Sequence, residues 1–124
     1  MNKTVRNKLI AVVDDEDCVR SGTASLLRAA DYATECFASA EDLLASGDHH
    51  RFACVVADIQ MSGMSGIELA NRLGRDVPPT PVVIMTARTE KDVLASAGAS
   101  RASCLLRKPF TADELLECVS SVMP

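Results

Sequence analysis

The sequence dictates an α/β domain in which a five-stranded parallel sheet is covered by helices on both faces. Short, continuous apolar runs alternate with segments of helical periodicity from one end of the chain to the other. Those runs do not alternate in polarity, so they read as strands buried on two faces, which is the signature of a parallel sheet. The stretches between them are long enough to hold a crossover helix, and such crossovers are right-handed. At 124 residues, with no linker and no internal repeat, one domain spanning 1–124 is expected.

The elements follow in order. Leu9 to Val13 is a first buried strand, running into Asp14, Asp15, Glu16 and Asp17. From Asp17, read as the N-cap, a helix places Val19, Thr23, Leu26, Leu27 and Ala30 on one face. Tyr32 to Phe37 is a weaker second strand; Ser39 with Asp42 then resembles a capping box opening a short helix with Leu43 and Leu44, which a loop from Gly47 to Arg51 ends. Ala53 to Ala57 is the third strand and stops abruptly at Asp58, followed by Gly63 and Gly66. Ser65 and Glu68 form an S-x-x-E capping box for a helix carrying Ile67, Ala70 and Leu73, which Gly74 ends. Pro78, Pro79 and Pro81 fix a loop before the fourth strand, Val82 to Met85, closed by Thr86. Thr89 to Ala99 is an Ala/Ser-rich helix with a poorly defined apolar face, and Ser103 to Leu106 is the fifth strand. Thr111 and Glu114 make a second capping box, and Leu115, Cys118, Val119 and Val122 line the last helix.

Composition excludes several classes. A net charge of −4 offers no general attraction to phosphate backbones or anionic membrane surfaces, so direct nucleic-acid binding is not expected. The run after Lys3, Arg6 and Lys8 is too short for a signal peptide, and no stretch approaches a membrane span, so no membrane partner and a cytoplasmic location are expected. Cys18, Cys36, Cys54, Cys104 and Cys118 are odd in number and never spaced as CxxC; they read as small buried hydrophobes of a reducing compartment. His49 and His50 fall in a loop and receive no catalytic or metal role.

Polar residues stand at the strand tips. The first strand delivers Asp14 and Asp15, the third Asp58, the fourth Thr86 and the fifth Lys108, and in a parallel sheet these tips share the edge where ligands bind. Carboxylates gathered there repel one another unless protonated or bridged by a hard cation, and an oxygen-lined site suits magnesium. A hydroxyl from Thr86 and an ammonium from Lys108 complete a site suited to phosphoryl transfer onto a carboxylate.

These residues stand in motifs that resemble a known family, the receiver domain of two-component response regulators, of the CheY-like superfamily. The motifs are VVDDE at Val12 to Glu16, DIQMSGMSGIEL at Asp58 to Leu69, VVIMTAR at Val82 to Arg88 and KPF at Lys108 to Phe110. The resemblance implies a doubly wound, flavodoxin-like (βα)5 fold with strand order 2-1-3-4-5 and phosphorylation of Asp58 by a sensor histidine kinase. It implies that Asp15, Asp58 and the backbone carbonyl of Gln60 bind Mg2+, that Asp14 assists through water, and that Thr86 and Lys108 contact the phosphoryl oxygens. It also suggests a cis Lys108–Pro109 bond.

The family's switch draws Thr86 inward and lets residue 105 turn in after it; this chain has Leu105 where the family uses Tyr or Phe. Ser62 replaces a frequent Pro and Arg101 a frequent Gly, while Gln60 and Arg88 flank the phosphoryl position and Ala87 leaves room for a water. The output surface implied is the face of the fourth helix, fifth strand and fifth helix, used for phosphorylation-dependent homodimerisation or for an effector. The chain is expected to be either a single-domain regulator or a receiver whose DNA-binding effector lies outside it. As alternatives, a haloacid-dehalogenase-type phosphatase would need Asp where Gln60 stands, and a flavodoxin-like carrier would find its phosphate repelled by the acids after the first strand. A pseudo-receiver acting only as a protein-binding module is the remaining alternative. In the receiver reading the domain is a phosphoacceptor rather than a conventional enzyme.

Overall fold

The computed structural model describes residues 8–47, 49–87 and 90–123. The apolar runs become β1 (Leu9–Val13), β2 (Ala33–Phe37), β3 (Cys54–Asp58), β4 (Val82–Thr86) and β5 (Cys104–Arg107). The periodic segments become α1 (Asp17–Ala29), α2 (Ala40–Ala45), α3 (Gly66–Gly74), α4 (Lys91–Ala99) and α5 (Ala112–Val122). All strand pairs are parallel and the order is β2-β1-β3-β4-β5, as the resemblance implied.

Burial explains the patterning. β3 and β4 lie in the middle and are buried along their whole length, whereas the edge strand β2 is partly exposed. The two-residue period of the strands divides the apolar side chains between two cores. Val13, Val55, Ala57 and Ile84 meet Leu43, Leu69, Leu73 and Ala97 on one face. Ile10, Val12, Val56, Val83 and Met85 meet Leu27, Leu115 and Val119 on the other. Each buried Val, Leu, Ile or Met side chain among them contributes about 1.5–3 kcal/mol. Both capping boxes form, Ser65 with Glu68 and Thr111 with Glu114, so α3 and α5 start where their polar residues dictate.

Several expectations are corrected. Glu16, not Asp17, is the N-cap of α1 and makes no side-chain cap bond; Asp17 lies in the first turn and pairs with Arg20. The loop after α2 contains a turn of 3-10 helix, His49–Arg51. Gly74 is the last residue of α3, as expected, though not by a left-handed turn: Arg75 follows in right-handed helical geometry, and a Cβ on Gly74 would lie 2.7 Å from Cβ of Arg101. The cysteines are not uniformly buried thiols, since Cys104 and Cys118 form a disulfide, Cys18 and Cys36 are exposed, and only Cys54 of the free ones is buried. The Lys108–Pro109 bond is cis, as the family suggests, and so is Val77–Pro78. Arg88 and Thr89 lie outside the described residues. Among the described residues no helix is long and apolar enough to cross a membrane.

Candidate functional site

Register places the tips together. Val13 pairs with Ala57, so the residues one step beyond them, Asp14 and Asp58, stand side by side where the strand order reverses. Asp58 pairs with Met85 and Thr86 with Arg107, which brings Thr86 and Lys108 to the same edge. Alternation continues past the strand ends, so Asp14, Asp58 and Lys108 extend the columns of Val12, Val56 and Leu106 on the α1/α5 side. Thr86 extends the column of Ile84 on the α3/α4 side.

Three carboxylates, Asp14, Glu16 and Asp58, bring oxygens within 4.8 Å of one another. Lys108 Nζ donates to Asp58 Oδ2 at 3.0 Å and to Asp14 Oδ2 at 3.5 Å. One ammonium against three carboxylates leaves an excess of negative charge when all are ionised. The hard oxygens then fit a divalent cation that prefers carboxylates and water. Asp14 is fully buried, and burial raises its pKa although the Glu16 N–H and the Lys108 charge act the other way. Burial works to lower the Lys108 pKa, but the hydrogen bond and charge of Asp58, with help from Asp14, outweigh it and raise the pKa.

Local structure holds each group. Asp14 Oδ1 accepts the Glu16 N–H at 3.0 Å, and Arg20 Nη1 donates to the Asp14 carbonyl at 2.8 Å, which fixes the turn from β1 into α1. The Gln60 N–H donates to Asp58 Oδ1 at 3.2 Å, and the Lys108 N–H donates to the carbonyl of buried Thr86 at 2.8 Å. Asp15 is exposed and accepts the Ser62 N–H at 3.3 Å, so it faces the loop after β3. Glu41 of α2 holds the far end of that loop, accepting the Met64 N–H at 2.8 Å. A pocket of about 330 Å³ opens on this edge and is lined by Asp15, Glu16, Asp58, Gln60, Ala87 and Lys108, among others.

One contributor, Glu16, escaped the sequence reading, and one, Gly66, was noted there after Asp58 without its structural role. Glu16 was one of four consecutive acids with nothing to single it out, and only the Asp14 turn brings its carboxylate into the cluster. Gly66 is the other: its N–H donates to the Ile59 carbonyl at 3.1 Å, and a Cβ there would lie 2.4 Å from the Asp58 carbonyl oxygen. The available signal was a glycine in the first turn of a helix, where it weakens the helix unless a close approach requires it.

A family model described as the response regulator receiver domain matches residues 10–120. Transcriptional regulatory protein FixJ of Bradyrhizobium diazoefficiens is 32% identical over 92% of this chain and 56% of its own length. Transcriptional regulatory protein TdiR of Thauera aromatica is 30% identical over 98% of this chain and 53% of its own. The chain thus spans about half the length of these curated relatives. Among solved structures, a response regulator receiver protein from Burkholderia phymatum matches with a TM-score of 0.78 and 33% identity, over 93% of this chain and 94% of that one. The chemotaxis protein CheY4 of Vibrio cholerae matches with a TM-score of 0.82 and 27% identity, over 94% of this chain and 98% of that one.

Proposed function

Because the chain belongs to the response regulator receiver family, we propose that Asp58 accepts a phosphoryl group from a sensor histidine kinase and that the α4–β5–α5 face transmits the change. A receiver domain is a phosphoacceptor, not a conventional turnover enzyme. The observation that carries the reading is the Lys108 ammonium 3.0 Å from Asp58 Oδ2, beside two further carboxylates, at the edge where the strand order reverses.

The Asp58 carboxylate needs no base to act as nucleophile. An Asp58 oxygen bonds to phosphorus as the bond from phosphorus to the donor imidazole nitrogen breaks, and that nitrogen keeps the electron pair. The transition state is loose and carries charge on the transferring oxygens, so positioning and fixed positive charge do most of the work. Lys108 supplies that charge, because its contacts with Asp58 and Asp14 keep it protonated. Thr86, at the neighbouring tip, offers its hydroxyl to the phosphoryl oxygens. Asp15, Asp58 and the Gln60 carbonyl would hold Mg2+, with Asp14 acting through water and Glu16 adding a further oxygen. When bound, the ion would neutralise part of the charge on the transferring group.

Phosphorylation adds about −1.5 to −2 charges and new acceptor oxygens. Thr86 moves toward them, and Leu105, partly buried against the α3/α4-side core, shifts into the space it leaves. The rearranged face would serve a second copy or a DNA-binding effector domain outside this chain, in a cytoplasmic signalling pathway. Incubation with acetyl phosphate and magnesium tests the reading by intact mass. The native chain gains one phosphoryl group, Asp58→Asn gains none, and Lys108→Ala reacts about 10²–10³-fold more slowly. A gain in Asp58→Asn equal to the native one would overturn it.

A further inference from the structure

The Cys104–Cys118 disulfide has no part in the phosphoacceptor site. It joins β5 to α5 across a Cα–Cα distance of 6.3 Å. The pair is reached through Cys104, which is partly exposed while Cys118 is buried; a pocket of about 260 Å³ bordered by Glu114, Glu117 and Ser121 is lined by both cysteines. The same two elements are already docked by Leu106, Leu115 and Val119 in one apolar cluster. Apolar packing thus holds β5 against α5 alongside the covalent link, and as thiols the two cysteines would remain small hydrophobes in the same place. Cys54 offers a contrast, since burial pushes its thiol up to about 12 and removes it from thiolate chemistry.

We propose that Cys104 and Cys118 form a reversible redox-modification site that exchanges with low-molecular-weight disulfides, and that its oxidation pins α5 to β5 and opposes rearrangement of that face. The second half rests on the output surface proposed above. In the oxidising direction the Cys104 thiolate attacks one sulfur of the small disulfide, forming a mixed disulfide and releasing one small thiolate. The Cys118 thiolate then attacks the Cys104 sulfur and releases the second. Two thiols of the protein lose two electrons and two protons, and the small disulfide gains them as two thiols.

The pocket also discriminates by charge. The Glu114 carboxylate is held in place by the Thr111 N–H at 2.8 Å, and Glu117 stands beside it on the rim. Two carboxylates repel an anionic reactant, so cystamine reacts faster than glutathione disulfide, and added salt narrows the gap.

The test uses the full chain, reduced with dithiothreitol, desalted, and incubated with cystamine or glutathione disulfide before alkylation and peptide mapping. Cys104 and Cys118 become protected together and are both alkylated after reduction. In Cys104→Ser, no intramolecular link to Cys118 forms. Continued alkylation of both cysteines after incubation, or pairing of either with Cys18 or Cys36, would overturn the site. Hydrogen exchange before and after acetyl phosphate treatment tests the coupling. Phosphorylation speeds exchange in α4, β5 and α5 several-fold more in the reduced chain than in the oxidised one, and equal responses would overturn it. Failure of both forms to take up phosphate overturns the reading of Asp58 instead, and the alkylation pattern still decides the thiol pair.

Discussion

Gly66 couples the scaffold to the chemistry through a single missing methyl group. Its close approach to the Asp58 carbonyl oxygen lets the start of α3 seat directly behind the proposed phosphoacceptor. Gly66→Ala forces that backbone apart; the cost is about 1–3 kcal/mol by analogy with overpacking. Urea unfolding will show the loss, and acetyl phosphate labelling will slow as Asp58 shifts from Lys108. Unchanged stability would mean that the loop yields without strain. The residues at the strand tips were legible because parallel strands end together, which makes Asp14, Asp58, Thr86 and Lys108 neighbours by topology alone. The division of labour between Asp15 and Glu16 was not legible. It depends on the Asp14 turn and on the Ser62 N–H, a contact between positions 47 apart in sequence.

At the scale of elements, the loop after β3 is braced by α2 through Glu41. The Met64 N–H lowers the Glu41 pKa from its ordinary 4.5. A carboxylate with a depressed folded-state pKa stabilises the fold above its unfolded value and loses that contribution as pH falls through the folded one. Glu41→Gln therefore unfolds at lower urea concentration than the native chain near neutral pH, and the two midpoints converge on acidification below about 4.5. A gap independent of pH would exclude the carboxylate as its source. Helix α4 is the soft element: Ala97 is its buried residue, whereas α3 buries Gly66, Leu69, Ala70 and Leu73. Its amides are expected to exchange faster than those of α3, and equal protection would contradict that ranking.

Capping boxes made α3 and α5 readable, because their polar partners lie three positions apart and need nothing from the rest of the chain. The disulfide was hidden because its partners are 14 positions apart, on a strand and the next helix, with no local motif. A loop of that size stabilises by about 3 kcal/mol in the chain-entropy model, so reduction lowers the thermal midpoint by roughly 10 °C. A calorimetric midpoint that does not move on reduction would contradict this.

For the whole molecule, the two faces of the sheet have different partners at the site. Asp14, Asp58 and Lys108 continue the α1/α5-side columns, whereas Thr86 and Leu105 belong to the α3/α4 side. In the proposed switch, a charge added at Asp58 reaches α4 and β5 through Thr86, on the opposite side of the sheet from Asp14 and Lys108. The sheet order was legible from the resemblance, and register then supplied what no local pattern holds, namely which tips touch. The central claim is that the phosphoryl group resides on Asp58. Borohydride reduction after acetyl phosphate and magnesium treatment, followed by peptide mapping, tests it most directly, because the reagent converts an aspartyl phosphate to homoserine. Homoserine at position 58, dependent on both acetyl phosphate and magnesium, is the predicted result. Conversion at Asp14 or Asp15, or at no position in a folded protein, would contradict it.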